Sequence, residues 1–262
     1  MSGLATASVG DGPVRFAFLH GLFGRGRNWT QIAQGLAALG HGSVLFDLPN
    51  HGASPWTTTF SYPESAAAVC AEIDHRLAGK PLILVGHSMG GKVAMISALR
   101  RPELFAGLAV VDISPTESGQ VSSFGPYLTA MRGIDLTTLT GKADADRQLS
   151  ATVANPAVRQ FLLTNLRDRG GWHWQPNLEL LATSLPELAG WPEIGPVPFE
   201  HPTSWVVGER SPYYRAEDLT LMQRYFPSVH KVVIPDAGHW VHADNPSAVI
   251  TALAELSAAS PS

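Results

Sequence analysis

The chain has 262 residues, 45% hydrophobic and 15% charged, with 18 Lys plus Arg against 22 Asp plus Glu for a formal net charge of −4. That length suits one α/β domain carrying an insertion, and the apolar content supports a large core and excludes a disordered chain. No basic block is present, which excludes a nucleic-acid footprint, and the lone Cys70 excludes an internal disulfide and suits a reducing compartment. Residues 1–12 lack the basic and apolar parts of a signal peptide, and the apolar runs are too short to cross a bilayer. The expectation is a cytoplasmic protein with no stable membrane insertion.

In chain order, short apolar runs alternate with helical patterns, which predicts a mostly parallel sheet with helices on both faces. Strands are expected at 15–21, 43–49, 81–88 and 108–114, then at 203–208 and 230–235, with room for one short strand before residue 15. Each is continuous and rich in Val, Leu, Ile or Phe, as a strand covered on both faces should be. Helices are expected at 29–39, capped by Asn28 and stopped by Gly40, and at 89–100, ending before Pro102. Two more are expected at 217–225 and 246–256. Residues 115–202 break this rhythm. They hold no clear strand, but helix-like pieces at 127–132, 144–153 and 157–167, with aromatic residues gathered near the end. The expected organisation is a core of 1–114 and 203–262 with a helical lid, 115–202, inserted between two strands.

The chemistry-bearing residues cluster at the ends of strands. Gly86-His87-Ser88-Met89-Gly90 fits G-x-S-x-G between a strand and a helix, the context that gives this motif meaning. A sharp turn there lifts the Ser88 hydroxyl above the sheet edge and sets it at a helix N-terminus, where unpaired N–H groups favour developing negative charge. His20-Gly21-Leu22-Phe23-Gly24 ends the first strong strand, so the backbone N–H groups of Leu22 and Met89 are the expected oxyanion donors, with Phe23 as the alternative to Leu22. His20 is read as holding that loop. Gly238-His239-Trp240 follows the last strand, so His239 is the expected general base. His242 is read as structural, because a metal site built on His239 and His242 lacks further ligands. No metal or cofactor is expected.

Through His20–Gly24, the Asp47-Leu48-Pro49-Asn50-His51-Gly52-Ala53-Ser54 stretch, the Ser88 elbow and Gly238-His239-Trp240, the chain resembles the α/β-hydrolase fold superfamily. Within it the chain is most similar to YbfF-type esterases, which share Gly-His-Ser-Met-Gly-Gly-Lys and Gly-His-Trp-Val-His-Ala. The resemblance is weakest across residues 116–168. It departs from the commonest pattern at the third triad member: the turn that holds an Asp in most such hydrolases reads Gly208-Glu209-Arg210-Ser211-Pro212. Asp112 ends the strand beside the nucleophile strand, the position YbfF-type esterases use, and is favoured over Glu209 as the acid; Ser211 is an expected auxiliary partner of Asp112 or His239. Asp47 is read as bracing the Asn50-His51-Gly52 turn.

A serine nucleophile implies attack on an ester or thioester carbonyl through an acyl-serine. The resemblance implies carboxylic esters first and acyl-CoA thioesters second, and the apolar, tryptophan-bearing lid implies small-molecule substrates with an apolar acyl group, uncharged near the carbonyl. Trp172, Trp174, Trp191 and Trp240 are the expected pocket residues. The alternatives are a cofactor-free lyase of the menaquinone-pathway type and a non-catalytic binding protein on the same fold. Oligomeric state has no signature in this sequence.

Overall fold

The computed structural model describes residues 3–77, 80–195 and 197–261; Met1 and Ser2, the start of the segment inspected for a signal peptide, lie outside them. A seven-stranded sheet forms the centre. Its strands are β1 (Thr6–Val9), β2 (Val14–Leu19), β3 (Gly42–Phe46), β4 (Leu82–His87), β5 (Phe105–Val111), β8 (Thr203–Gly208) and β9 (Val229–Ile234). They are ordered β1-β3-β2-β4-β5-β8-β9. β1 pairs antiparallel with β3, and the other neighbours are parallel.

The continuous apolar runs are explained by burial on both faces. In β2, Phe16 and Phe18 join one core, with Ile32 and Leu36 of α1 (Thr30–Ala37) and Val249 and Leu253 of α11 (Pro246–Ala259). Ala17 and Leu19 join the other, with Val69 and Ile73 of α2 (Tyr62–Leu77) and Val93 and Ile96 of α3 (Met89–Arg100). Alternate side chains thus serve opposite faces, and both are apolar. Among the described residues no helix is long and apolar enough to cross a membrane.

Between β5 and β8 the chain forms α4 (Gly125–Arg132), α5 (Lys142–Leu149), α6 (Pro156–Leu163), α7 (Leu178–Thr183) and α8 (Leu185–Ala189). Against expectation this stretch also holds strands: β6 (Leu166–Asp168) and β7 (Trp172–Trp174) form a hairpin whose turn uses Gly170 and Gly171 at φ 70° and 120°. The chain closes through α9 (Leu219–Tyr225), α10 (Val241–Asp244) and α11.

Two further expectations are corrected. Helix α2 was not read from the sequence. Asn28 does not cap a helix starting at residue 29: its Oδ1 accepts from Arg25 N at 2.7 Å and braces a 3₁₀ turn, Gly26–Trp29, from which α1 starts at Thr30. Gly40 does stop that helix, at φ 90°.

Candidate active site

Ser88, Asp112 and His239 all leave the same, C-terminal edge of the sheet. Ser88 follows β4 and stands directly before α3 with φ 53° and ψ −120°. Such a left-handed setting is unfavourable for a residue with a side chain, and it persists because the surroundings over-determine it. The turn closes only because of its glycines: a Cβ on Gly86 would overlap the Gly90 carbonyl oxygen, and one on Gly90 that of His20. Ladder-like bonds continue past the strand ends, from Ser88 N to Val111 O at 3.0 Å and from Asp112 N to Val206 O at 2.8 Å.

The three side chains are hydrogen-bonded in series. Ser88 Oγ lies 3.0 Å from His239 Nε2, and His239 Nδ1 lies 2.7 Å from Asp112 Oδ2. Asp112 is fully buried and, like Ser88, has a positive φ, 54°. Gly208 N donates to its Oδ1 at 3.0 Å, and Ser211 Oγ donates to its Oδ2. Its charge is therefore balanced by donors rather than by water, as a buried carboxylate requires. Glu209 is exposed and elsewhere, accepting from Asp236 N at 3.0 Å.

The Leu22 and Met89 amides have no acceptor among the described residues. Met89 N opens α3. Leu22 N belongs to a peptide whose carbonyl, on Gly21, accepts from His20 Nδ1 at 2.8 Å and from Gly24 N at 2.9 Å. Peptide planarity then sends the Leu22 N–H the opposite way. His20 Nε2 accepts from Leu48 N at 2.9 Å, so both ring nitrogens are occupied by a neutral imidazole, and burial pushes its pKa down to about 4. The Phe23 amide, the alternative donor, is taken: it donates to His51 Nε2 at 3.3 Å. Asp47 accepts from Gly26 N at 2.7 Å and Ala53 N at 2.8 Å, bracing the Asn50-His51-Gly52 turn.

Several neighbours of the site were not read from the sequence. The Tyr213 ring lies flat on His239, centroids 3.7 Å apart at 15°. It comes two residues after Ser211, whose Oγ also accepts from Tyr213 N at 3.2 Å. His87, one residue before Ser88, donates from Nε2 to the His239 carbonyl at 2.7 Å, and burial holds its pKa well below the ordinary range. His242 packs on Trp29, centroids 4.4 Å apart. Lys92, one helical turn after Ser88, is buried and forms no salt bridge among the described residues, with Glu117 the carboxylate that acts on it at longer range. Its ammonium donates to the Ala189 and Gly190 carbonyls at 2.6 and 2.7 Å, and burial lowers its pKa to about 8.

Two small cavities flank Ser88. One, of about 10 Å³, is walled by Leu22, Met89, Ile113, Val121, Phe124 and Leu188, with Tyr62 and Lys92 behind. The other, of about 20 Å³, includes His20, Asn28, His87, Phe161, Trp240 and His242. Each holds about one water. Trp240 thus lines the site and touches Phe161 of α6. The other three expected pocket tryptophans line neither cavity. Trp172 and Trp174 form the β7 strand, Trp174 Nε1 donating to Met131 O at 3.0 Å, and Trp191 packs on Tyr225. Large flat rings at the insertion's own interfaces are used there as packing. The apolar wall at Ser88 comes instead from Val121, Phe124 and Leu188 of the insertion, residues with no distinguishing sequence signal.

A profile of the alpha/beta hydrolase family matches residues 16–252, which includes the whole hydrogen-bonded series. The chain belongs to the alpha/beta hydrolase family. Among its relatives, the sn-1-specific diacylglycerol lipase ABHD11 of Danio rerio is 39% identical over 246 residues, covering 90% of this chain and 77% of that protein. Esterase YbfF of Escherichia coli (strain K12) is 29% identical over 235 residues, covering 90% and 89%. The solved structure of a marine microorganism esterase superposes with a TM-score of 0.92 at 30% identity, covering 97% of this hydrolase and 99% of that chain.

Proposed function

We propose that this hydrolase cleaves carboxylic esters through an acyl-serine intermediate, with Ser88 as nucleophile, His239 as general base and Asp112 as the acid that fixes His239. The reading is carried by one observation, the unbroken series Ser88–His239–Asp112 beside two amides without acceptors. The relatives named as esterases and lipases support ester over other hydrolase substrates.

In this mechanism Ser88 Oγ bonds to the ester carbonyl carbon as its proton passes to His239 Nε2. The carbonyl oxygen becomes an oxyanion held by Leu22 N and Met89 N. The tetrahedral intermediate collapses, the C–O bond breaks, and His239 returns the proton to the leaving alkoxide. Water then attacks the acyl-serine by the same route and releases the acid and free Ser88. Asp112 accepts from His239 Nδ1 throughout and stabilises the imidazolium. We assign residues 115–202 the role of a lid: its Val121, Phe124 and Leu188 wall the apolar cavity at Ser88, where the acyl group would lie. Because that cavity holds about one water, an acyl chain beyond acetyl requires the lid to shift.

Labelling with a fluorophosphonate, then assay on ester and acyl-CoA panels, tests the proposal. The expected result is stoichiometric modification of Ser88 and faster turnover of esters. Ser88→Ala should abolish labelling and lower kcat by about six powers of ten with folding intact. Esterase activity of Ser88→Ala within tenfold of wild type would remove Ser88 from the mechanism.

A further inference from the structure

Phe23 sits at φ 59°, a left-handed setting that a bulky residue seldom holds without outside support. Its ring is buried and meets Phe124 of the insertion edge-on, centroids 5.9 Å apart. Two buried side chains grip its backbone. The Phe23 N–H donates to His51 Nε2 at 3.3 Å, and the Phe23 carbonyl accepts from Asn165 Nδ2 at 2.7 Å. His51 donates from Nδ1 to the Pro49 carbonyl at 3.1 Å, so its ring is neutral and both nitrogens are used. Asn165 Nδ2 also reaches the Leu162 carbonyl at 3.3 Å. Turned over, the amide would aim its oxygen at two carbonyl oxygens, so its orientation is dictated. In the orientation it holds, Oδ1 is buried and meets no donor among the described residues. The buried amide thus ties the Phe23 carbonyl to the Leu162 carbonyl at the end of α6.

The two expected oxyanion donors differ in how they are supported. Met89 N is fixed by α3. Leu22 N sits in a loop, held on the Gly21 side by His20 and Gly24 and on the Phe23 side by His51 and Asn165. His51 arrives from the turn after β3. Asn165 arrives from the insertion, between α6 and β6, 142 positions away from Phe23.

We propose that His51 and Asn165 are positioning residues of the oxyanion hole, and that through Asn165 the seating of the insertion sets the direction of the Leu22 donor. This rests on the serine-esterase reading above. An insertion lifted off the core would then leave the Ser88–His239–Asp112 series intact while spoiling the oxyanion hole. Lid position and catalytic competence become one variable.

Four variants of the full chain test this: Asn165→Leu and Asn165→Asp, which cannot donate to Phe23 O, and His51→Leu with His51→Gln, whose amide oxygen can still accept from Phe23 N. Each is assayed for kcat and KM on a short activated ester, and for affinity toward a trifluoromethyl ketone, whose hemiketal oxyanion occupies the same donors. The expected result is a fall in kcat of roughly 10- to 100-fold for Asn165→Leu, Asn165→Asp and His51→Leu, somewhat less than deletion of a whole donor. KM should stay within about threefold. Ketone affinity should fall by the same factor as kcat/KM, and His51→Gln should recover most of it. If one leucine variant does not fold, the near-isosteric Asn165→Asp and the His51 pair still decide. Variants with wild-type kcat and ketone affinity overturn the proposal, as does lost activity with unchanged ketone affinity. A wild-type protein that neither hydrolyses the ester nor takes up fluorophosphonate refutes the esterase reading itself, a distinct result.

Discussion

Asp112 receives three donors, His239 Nδ1, Ser211 Oγ and Gly208 N, whereas exposed Glu209 accepts from the Asp236 amide. Replacing Asp112 by Asn keeps the shape but offers an N–H where His239 needs an acceptor, and the wrong tautomer results. A kcat/KM loss near four powers of ten is expected, the size seen when a triad Asp becomes Asn. Ser211→Ala removes a hydrogen bond to a charged group, worth about 1.5–3 kcal/mol, or roughly 10- to 100-fold. Glu209→Gln should stay within about threefold. Steady-state kinetics of the three on one ester ranks them, and a crippled Glu209→Gln beside a mild Asp112→Asn would reverse the assignment. Tyr213 offers a second residue-scale test. Its ring lies flat on His239 and holds the imidazole plane, a ring pair worth about 0.5–1.5 kcal/mol. Tyr213→Phe should therefore keep most of the activity and Tyr213→Leu should lose roughly 2- to 10-fold in kcat.

Within residues 115–202, side chains that hold the elements together are separate from those at Ser88. Trp174 is buried between β7 and α4, so Trp174→Ala should destabilise by about 3–5 kcal/mol without changing acyl preference. Phe124→Ala and Leu188→Ala enlarge the cavity at Ser88 and should shift the optimum toward longer chains. A series of p-nitrophenyl esters from acetate to decanoate, run beside denaturant melts, separates the two effects. A longer-chain optimum for Trp174→Ala alone would show that the packing residues set the pocket. How legible these elements were follows from how their residues signal. The parallel strands announce themselves through unbroken apolar runs, and Ser88 and His239 through glycine-flanked turns. Helix α2 is rich in Ala66, Ala67, Ala68 and Ala71, which give little amphipathic contrast, so periodicity passed it by. Its start was nonetheless written in Ser61-Tyr62-Pro63-Glu64, and Ser61 Oγ does accept from Glu64 N at 3.3 Å. The β6–β7 hairpin escaped because three-residue strands are too short for a pattern, although Gly170-Gly171 is a hairpin-turn signal. Asn165 and Tyr213 carry no local signal at all, since contacts far along the chain define their roles.

Among the described residues, His20, His51 and His87 are buried and held neutral by burial, with pKa values of about 4, about 3 and well below the ordinary value. Unfolded, each would titrate near 6.5. Between pH 6.5 and about 4 the unfolded chain therefore binds more protons than the folded one, so stability is complete above 6.5 and falls as the pH falls. Each histidine contributes up to about 1.4 kcal/mol per pH unit, so urea midpoints should drop steeply from pH 7 to pH 5. A flat profile over that window would mean the three rings are not buried neutral in solution. The same long reach governs biosynthesis. His239 meets Asp112 across 127 positions and Ser88 across 151, so the Ser88–His239–Asp112 series closes only after β9 has joined the sheet edge. Chains emerge from the ribosome N-terminus first at about 5–20 residues per second, so roughly 8 to 30 seconds separate the synthesis of Ser88 from that of His239, 151 positions later. On the proposed mechanism, hydrolysis then begins as a single late event rather than growing in with length.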